Sequence, residues 1–320
     1  MKKLAYYLLK GVAYALSLLP FWALYGVADV FFVLLYYLFR YRRKVVRKNL
    51  TSSFPDKDEQ FIKHTERRFY RWFSDTLFEA FKLLSISDEK LLRHIEFRNT
   101  EEMELVFDEG RDLAVMMGHY GNWEWMTALG LGFKRYPEAV MGLIYHPLRS
   151  DPADWLSIDI RSAHGGVCIN KRHVLRHLME LKREGRRSLF GYVSDQTPKW
   201  ENIHLWLPFL NHDTPVFTGG ERIMRKMDDG VFYVDMSRPR RGHYVVDYKL
   251  ISFHAAQEEE YAITRRFFQM LEDNIHREPA YYLWTHNRWK RTHEEYNAIV
   301  EDWREKHSKN KPSPNDAPSS

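Results

Sequence analysis

A histidine and a glutamate five residues apart, in the segment Gly118-His119-Tyr120-Gly121-Asn122-Trp123-Glu124, form the densest group of chemically capable side chains in this sequence. A carboxylate on one imidazole nitrogen fixes the tautomer and raises the basicity of the other, which makes a general base for a hydroxyl group. On a continuous helix the offset would rotate the two side chains about 140° apart, so they would not share a face. The pair therefore needs a break in the chain: His119 ending a strand, Gly121 and Asn122 making a bend, and Glu124 in the first turn of a helix. An enzyme with such a base needs no serine or cysteine nucleophile. The same residues also fit a bland role, a strand-end histidine capping backbone groups beside a glutamate at a favourable helix start. Alone, His-x4-Glu is too short to choose between the two.

The elements that must position this segment are legible as periodicity. Short apolar runs at Leu113–Met117, Val140–Tyr145, Val167–Ile169, Ser188–Val193, Phe232–Met236 and Tyr244–Tyr248 predict strands. Helical patterns lie between several of them, at Trp123–Leu131, Ala153–Ala163, Lys171–Arg183, Gly219–Lys226 and Gln257–His276. Their alternation predicts an α/β fold with a mixed central sheet flanked by helices. Thr51 to Arg98 reads as largely helical, with Phe69, Trp72, Phe73, Leu77, Phe78 and Phe81 recurring at threes and fours as a packing or lipid-facing surface.

The N-terminus has another character. Gly11 to Ala28 contains no charge, and after Asp29 ten more uncharged residues follow to Phe39. That is near the ~20 residues that cross a bilayer. Six basic residues then fall among Arg40 to Lys48, a collar suited to the cytoplasmic side and to anionic head groups. The apolar stretch is too long for a cleaved signal, while Pro20 breaks a helix and Asp29 is costly at a bilayer centre. The reading is a membrane-associated helix or hairpin, spanning or lying in one leaflet. The chain thus divides into an N-terminal anchor with its collar (1–48), one catalytic domain (49–305) and a polar, disordered tail (306–320).

Composition narrows the chemistry. The 320 residues are 44% hydrophobic and carry a net charge of +5, with a single cysteine, Cys168, which excludes an internal disulfide framework and a Cys-rich zinc site. There is no Gly-x-Ser-x-Gly, no Walker A motif and no His-Glu-x-x-His. Of fifteen histidines only His173 and His177 share a helix face, and surface positions explain them better than a metal. No nucleic-acid-binding motif accompanies the positive charge.

Over nearly its whole length the chain resembles the lipid A biosynthesis lauroyl/myristoyl acyltransferase family, within the lysophospholipid acyltransferase superfamily. The resemblance rests on the apolar N-terminus, the stretch from Arg43-Lys44-Val45-Val46-Arg47-Lys48-Asn49-Leu50 through Phe54-Pro55, and the His119 to Glu124 motif. Ser194-Asp195-Gln196, Leu207-Pro208-Phe209 and the segment Trp284 to Lys290 extend it. It implies a glycerolipid acyltransferase-like fold at the cytoplasmic side of the inner membrane. It also implies transfer of a fatty acyl group from acyl carrier protein to a hydroxyl of a phosphorylated glycolipid, a lipid A precursor, without metal or nucleotide cofactor. His119 would deprotonate the acceptor and Glu124 would orient His119. Another lipid acceptor, or a non-catalytic membrane-anchored scaffold, is the alternative.

Further site candidates are Asn122 in the bend, Arg161 before Gly165-Gly166, where family members place an arginine, and Asp195 with Gln196 at a strand exit. Arg238, with Arg240 and Arg241, could meet acceptor phosphates, and Arg288 with Lys290 could meet anionic head groups while Trp284 and Trp289 pack. Solvated turns or packing account for the same residues.

Overall fold

Leu113–Met117 is apolar without alternation, the pattern of a parallel strand covered on both faces, and all five residues are buried. The computed structural model describes residues 1–308. In chain order the elements are α1 (Lys2–Leu18), α2 (Phe21–Val33) running into a π-helical turn (Leu34–Leu38), α3 (Arg43–Ser53), α4 (Glu59–Lys82), α5 (Asp88–Leu91), β1 (Ile95–Arg98) and α6 (Thr100–Asp108). Then come β2 (Leu113–Met117), a 3-10 helix (Trp123–Gly132), β3 (Val140–Tyr145), α7 (Asp151–Ser162), β4 (Val167–Asn170), α8 (Val174–Arg183) and β5 (Ser188–Val193). The hairpin β6 (Trp206–Phe209) and β7 (His212–Pro215) leads to α9 (Gly219–Met227), β8 (Gly230–Arg240), β9 (His243–Ser252), α10 (Ala262–Arg277) and α11 (His293–Ser308).

Seven strands form one mixed sheet in the order β1-β9-β8-β2-β5-β3-β4, in which only β8 and β9 are antiparallel. Because successive strand residues face opposite sides, the core divides into two layers. Ala114, Met116, Phe190, Tyr192 and Tyr233 pack with α8, α9 and α10, while Leu113, Val115, Met117, Leu189 and Phe232 pack with α6, α7 and Trp125. The predicted α/β fold with helices flanking a mixed sheet is the one observed.

Three local expectations change. Ile95–Arg98, read as part of a helical stretch, is the edge strand β1, because Ile95 and Phe97 pair in parallel with Tyr244 and Val246 of β9. Trp123–Leu131 forms a 3-10 rather than an α-helix. Helix α11 continues to Ser308, past the boundary set at residue 305, and residues 309–320 of the expected tail lie outside the described residues.

The tip of the β8–β9 hairpin reaches over α4 and makes a buried cluster of charges there. Asp75 and Glu79, one helical turn apart and both nearly inaccessible, meet Arg238 at 2.7 and 3.7 Å, and Asp75 also holds Arg241. Removing one member leaves the others charged in a dry environment, at a cost of about 3 kcal/mol or more. Asp75→Ala is therefore expected to destabilise the fold by about 3 kcal/mol, read as a lower urea midpoint at unchanged slope; a loss below about 1 kcal/mol would contradict this account.

Candidate active site

Two adjacent parallel strands bring the chemistry together. β2 and β5 pair in register with Met117 opposite Val193, and Ser194 N–H donates to the Met117 carbonyl at 3.2 Å. Two residues beyond that pair, His119 and Asp195 leave the sheet side by side. His119 Nδ1 lies 2.6 Å from Asp195 Oδ1, and His119 Nε2 lies 3.3 Å from the Gln196 amide nitrogen. A carboxylate only accepts, so Nδ1 carries the proton, and Nε2 keeps a lone pair to which Gln196 donates.

Burial pushes the Asp195 carboxyl up, but the His119 ring and the Arg288 charge together outweigh it and leave the group at about 2. Asp195 is thus ionised at neutral pH. Its position is set from behind. Arg288, only 1% exposed, donates to the Asp195 carbonyl and lies against the rings of Phe209 and Phe268. Asn49 of α3 in turn binds the Trp284 and His286 carbonyls, both at 2.9 Å. Arg288 therefore does not reach toward head groups as expected; it positions the carboxylate that orients His119.

The turn after His119 is built as the sequence demands. Gly121 has φ +60°, and a Cβ there would come 2.5 Å from Met236 Sδ, so only glycine fits. Asn122 is wholly buried: its Oδ1 accepts from Trp125 N–H and its Nδ2 donates to Glu79 at 2.8 Å. It locks the bend and is not placed to touch substrate. Leu283 N–H donates to the His119 carbonyl, and Gly121 N–H to that of Tyr281, which ties the bend to the segment before Arg288.

Glu124 departs from expectation. Arg161 of α7 grips both its oxygens, Nε to Oε2 at 2.9 Å and Nη2 to Oε1 at 2.6 Å, and Trp123 Nε1 adds a bond at 3.1 Å. Burial raises the Glu124 carboxyl, but Arg161, the Trp123 hydrogen bond and the nearby His119 together outweigh it and hold the carboxyl below its ordinary value. The hydrogen bond to the imidazole nonetheless belongs to Asp195. Arg161, a sequence candidate, does stand in the site. Arg238 does not: its side chain is 7% exposed and committed to Asp75 and Glu79.

His119, Glu124, Arg161 and Gln196 line a cleft of about 890 Å³. Its interior is apolar, with buried Leu143, Val174 and Tyr192, whereas exposed His146, Arg149, Lys171, Arg222 and Lys226 line its outer part. Glu124 alone among the lining residues is acidic. Cys168 does not line the cleft, and burial pushes its thiol up, away from reactive thiolate. Among the described residues no three His, Cys, Asp or Glu side chains gather as a metal site.

Sequence reasoning missed Asp75, Glu79 and Asn49. A signal existed for the first two, a carboxylate pair at i, i+4 inside an aromatic helix face, where burial demands cations.

A histidine at a strand exit, paired with a buried carboxylate and opening into an apolar cleft with a cationic outer part, is an arrangement compatible with acyl transfer. The chain matches the family model of the bacterial lipid A biosynthesis acyltransferases over residues 1–291 and belongs to that family. No match was found among curated proteins.

Two outcomes follow from the Asp195 geometry. Asp195→Asn should lower kcat by about 10³-fold, with KM changed far less, because the amide can stabilise the wrong tautomer. Since the folded-state value, about 2, lies below the ordinary one, the stabilisation is complete above pH ~4 and is lost as pH falls toward ~2. The stability gap between wild type and Asp195→Asn, measured by chemical denaturation, should therefore shrink by about 2 kcal/mol between pH 5 and pH 2.

Proposed function

We propose that this acyltransferase moves a fatty acyl group from the thioester of acyl carrier protein to a hydroxyl of a phosphorylated glycolipid, a lipid A precursor. The reaction would take place at the cytoplasmic face of the inner membrane. The observation that carries the reading is the His119 Nε2 lone pair, held in place by Asp195 on the opposite nitrogen and facing a cleft that is apolar within and cationic outside.

In this mechanism Nε2 takes the proton of the acceptor hydroxyl as its oxygen attacks the thioester carbonyl. Asp195 and Glu124, both ionised, stabilise the imidazolium that forms. The oxyanion of the tetrahedral intermediate needs a donor, and Arg161 retains Nη1 for it, since Nε and Nη2 are spent on Glu124. Collapse expels the thiolate of the donor, which recovers the proton from His119. One C–O bond forms and one C–S bond breaks, so the balance closes without an acyl-enzyme, metal or nucleotide.

Charge and polarity support these partners. The apolar interior suits an acyl chain. The exposed Arg149, Lys171, Arg222 and Lys226 suit the phosphate of the donor's prosthetic group and an acidic carrier protein. Membership of a lipid A biosynthesis family implies membrane association, and the exposed apolar side chains of α1 and α2 suit membrane lipids as the third partner.

Incubating the purified protein with acyl carrier proteins of several chain lengths and a lipid A precursor should add one acyl mass to the glycolipid. His119→Ala should reduce that transfer by about 10³-fold. Reversing two charges, Arg222→Glu with Lys226→Glu, should raise KM for the carrier-linked donor about tenfold and leave kcat unchanged, as expected for loss of roughly 1.4 kcal/mol of uniform binding. Undiminished transfer by His119→Ala would overturn the mechanism, and transfer from coenzyme A alone would overturn the donor.

A further inference from the structure

Among the described residues one helical stretch is long and apolar enough to cross a membrane, Phe21–Leu38. Its length permits a crossing, but its flanks do not. A crossing helix carries the segment before it to the opposite side from the segment after it. Here α1, which precedes it, is held on the catalytic body at both ends. Lys2 and Lys10 pair with Asp151 and Asp159 of α7 at 2.8 and 2.9 Å, and Lys82 binds the carbonyls of Ser17 and Leu19. The segment after it, α3, is anchored to the same body through Asn49.

The middle of α2 tells the same story. Asp29 pairs with Arg241 of the β8–β9 tip at 2.9 Å and with Arg71 of α4 at 3.3 Å, and the Tyr25 hydroxyl donates to Glu79. Pulling α2 through hydrocarbon would either break these contacts or take the charged groups with it, at about 2.5 kcal/mol or more for each charge. Pro20, at the N-terminus of α2, breaks the helical run, and the two helices then take separate courses over the protein, α1 against α4 and α7 and α2 against α4.

Each helix has one face on the protein and one without protein. Leu24, Ala28, Phe32 and Tyr36 recur every fourth residue and are buried, whereas Trp22, Val30 and Val33 are at least half exposed. On α1, Leu4, Leu8 and Val12 repeat at the same spacing and are more than 60% exposed. Next to the C-terminal end of α2 lies a hollow of about 680 Å³ lined by Tyr36, Arg43, Arg47, Lys63, His64 and Arg67. Its four Arg and Lys side chains face only two carboxylates, Glu59 and the buried Glu66, so the hollow keeps positive charge.

We infer that α1 and α2 both lie in one leaflet instead of spanning the membrane, with the hollow between α3 and α4 taking the phosphate of an anionic phospholipid. The inference rests on the reading that this protein works at a membrane. The apolar face gives depth and the adjacent hollow gives preference for negatively charged lipid.

The test uses the full chain with Cys168→Ser and a single cysteine introduced by Lys3→Cys or Lys44→Cys, both exposed positions that flank α2. A membrane-impermeant maleimide should label both from the same side of the cell membrane, in inverted vesicles and not in spheroplasts. Purified wild type should float with vesicles of phosphatidylglycerol and phosphatidylcholine at least ten times better than with phosphatidylcholine alone. Leu8→Asp with Val30→Asp should abolish flotation, and Lys63→Glu with Arg67→Glu should abolish the anionic preference, both at unchanged melting temperature. Labelling of the two cysteines from opposite sides overturns the one-leaflet placement while leaving the membrane reading intact. A wild type that floats with no vesicle overturns both, and a preference that survives the charge reversal overturns the headgroup hollow.

Discussion

The register of two parallel strands is the constraint on which the site depends. With Met117 paired to Val193, the residues two positions further along each chain emerge at the same level, and the imidazole of His119 finds the carboxylate of Asp195 within 2.6 Å. A slip of one residue would turn each of these side chains to the other face of the sheet. The alternation of core residues makes such a slip expensive, because Leu113, Val115 and Met117 would exchange layers with Ala114 and Met116. The apolar core of the sheet therefore specifies the geometry of the His119–Asp195 pair.

Much of the remaining chain serves to keep that pair still. Arg288 secures the Asp195 backbone, Asn49 secures the segment that carries Arg288, and Glu79 secures Asn122 in the turn beyond His119. Glu79 also accepts from Tyr25 of α2 and from Tyr244 of β9 at 2.8 and 2.6 Å. The N-terminal helices and the turn after His119 thus share one buried carboxylate. The apolar N-terminus is accordingly part of the folded body, a different thing from a tether attached to an independent domain.

The strands of the central sheet and most of its helices were legible in the sequence, since a parallel strand buried on both faces and an amphipathic helix leave clear periodic patterns. β1 was not, because four residues give too short a period and only the partner β9 makes them a strand. Nor was the hairpin of β6 and β7, whose strands contain Pro208 and Pro215. In the site, His119, Glu124, Arg161, Asp195 and Gln196 were all identifiable, yet their pairing was not. Proximity in sequence favoured Glu124 as the partner of His119, whereas Arg161 claims both glutamate oxygens from another helix.

The sequence by itself determined which side chains were available for chemistry, the α/β class, the apolar N-terminus and the glycine at the bend, because each depends on residue type and local period. Tertiary structure decided which carboxylate orients the histidine, and that Arg238, Arg288 and Asn122 act inside the protein and not on substrate. The physical reason is that ion pairs and buried hydrogen bonds join residues as far apart as Asp75 and Arg238 or His119 and Asp195. Their partners are chosen by strand register and by the cost of leaving a buried charge alone, neither of which has a period that a sequence displays.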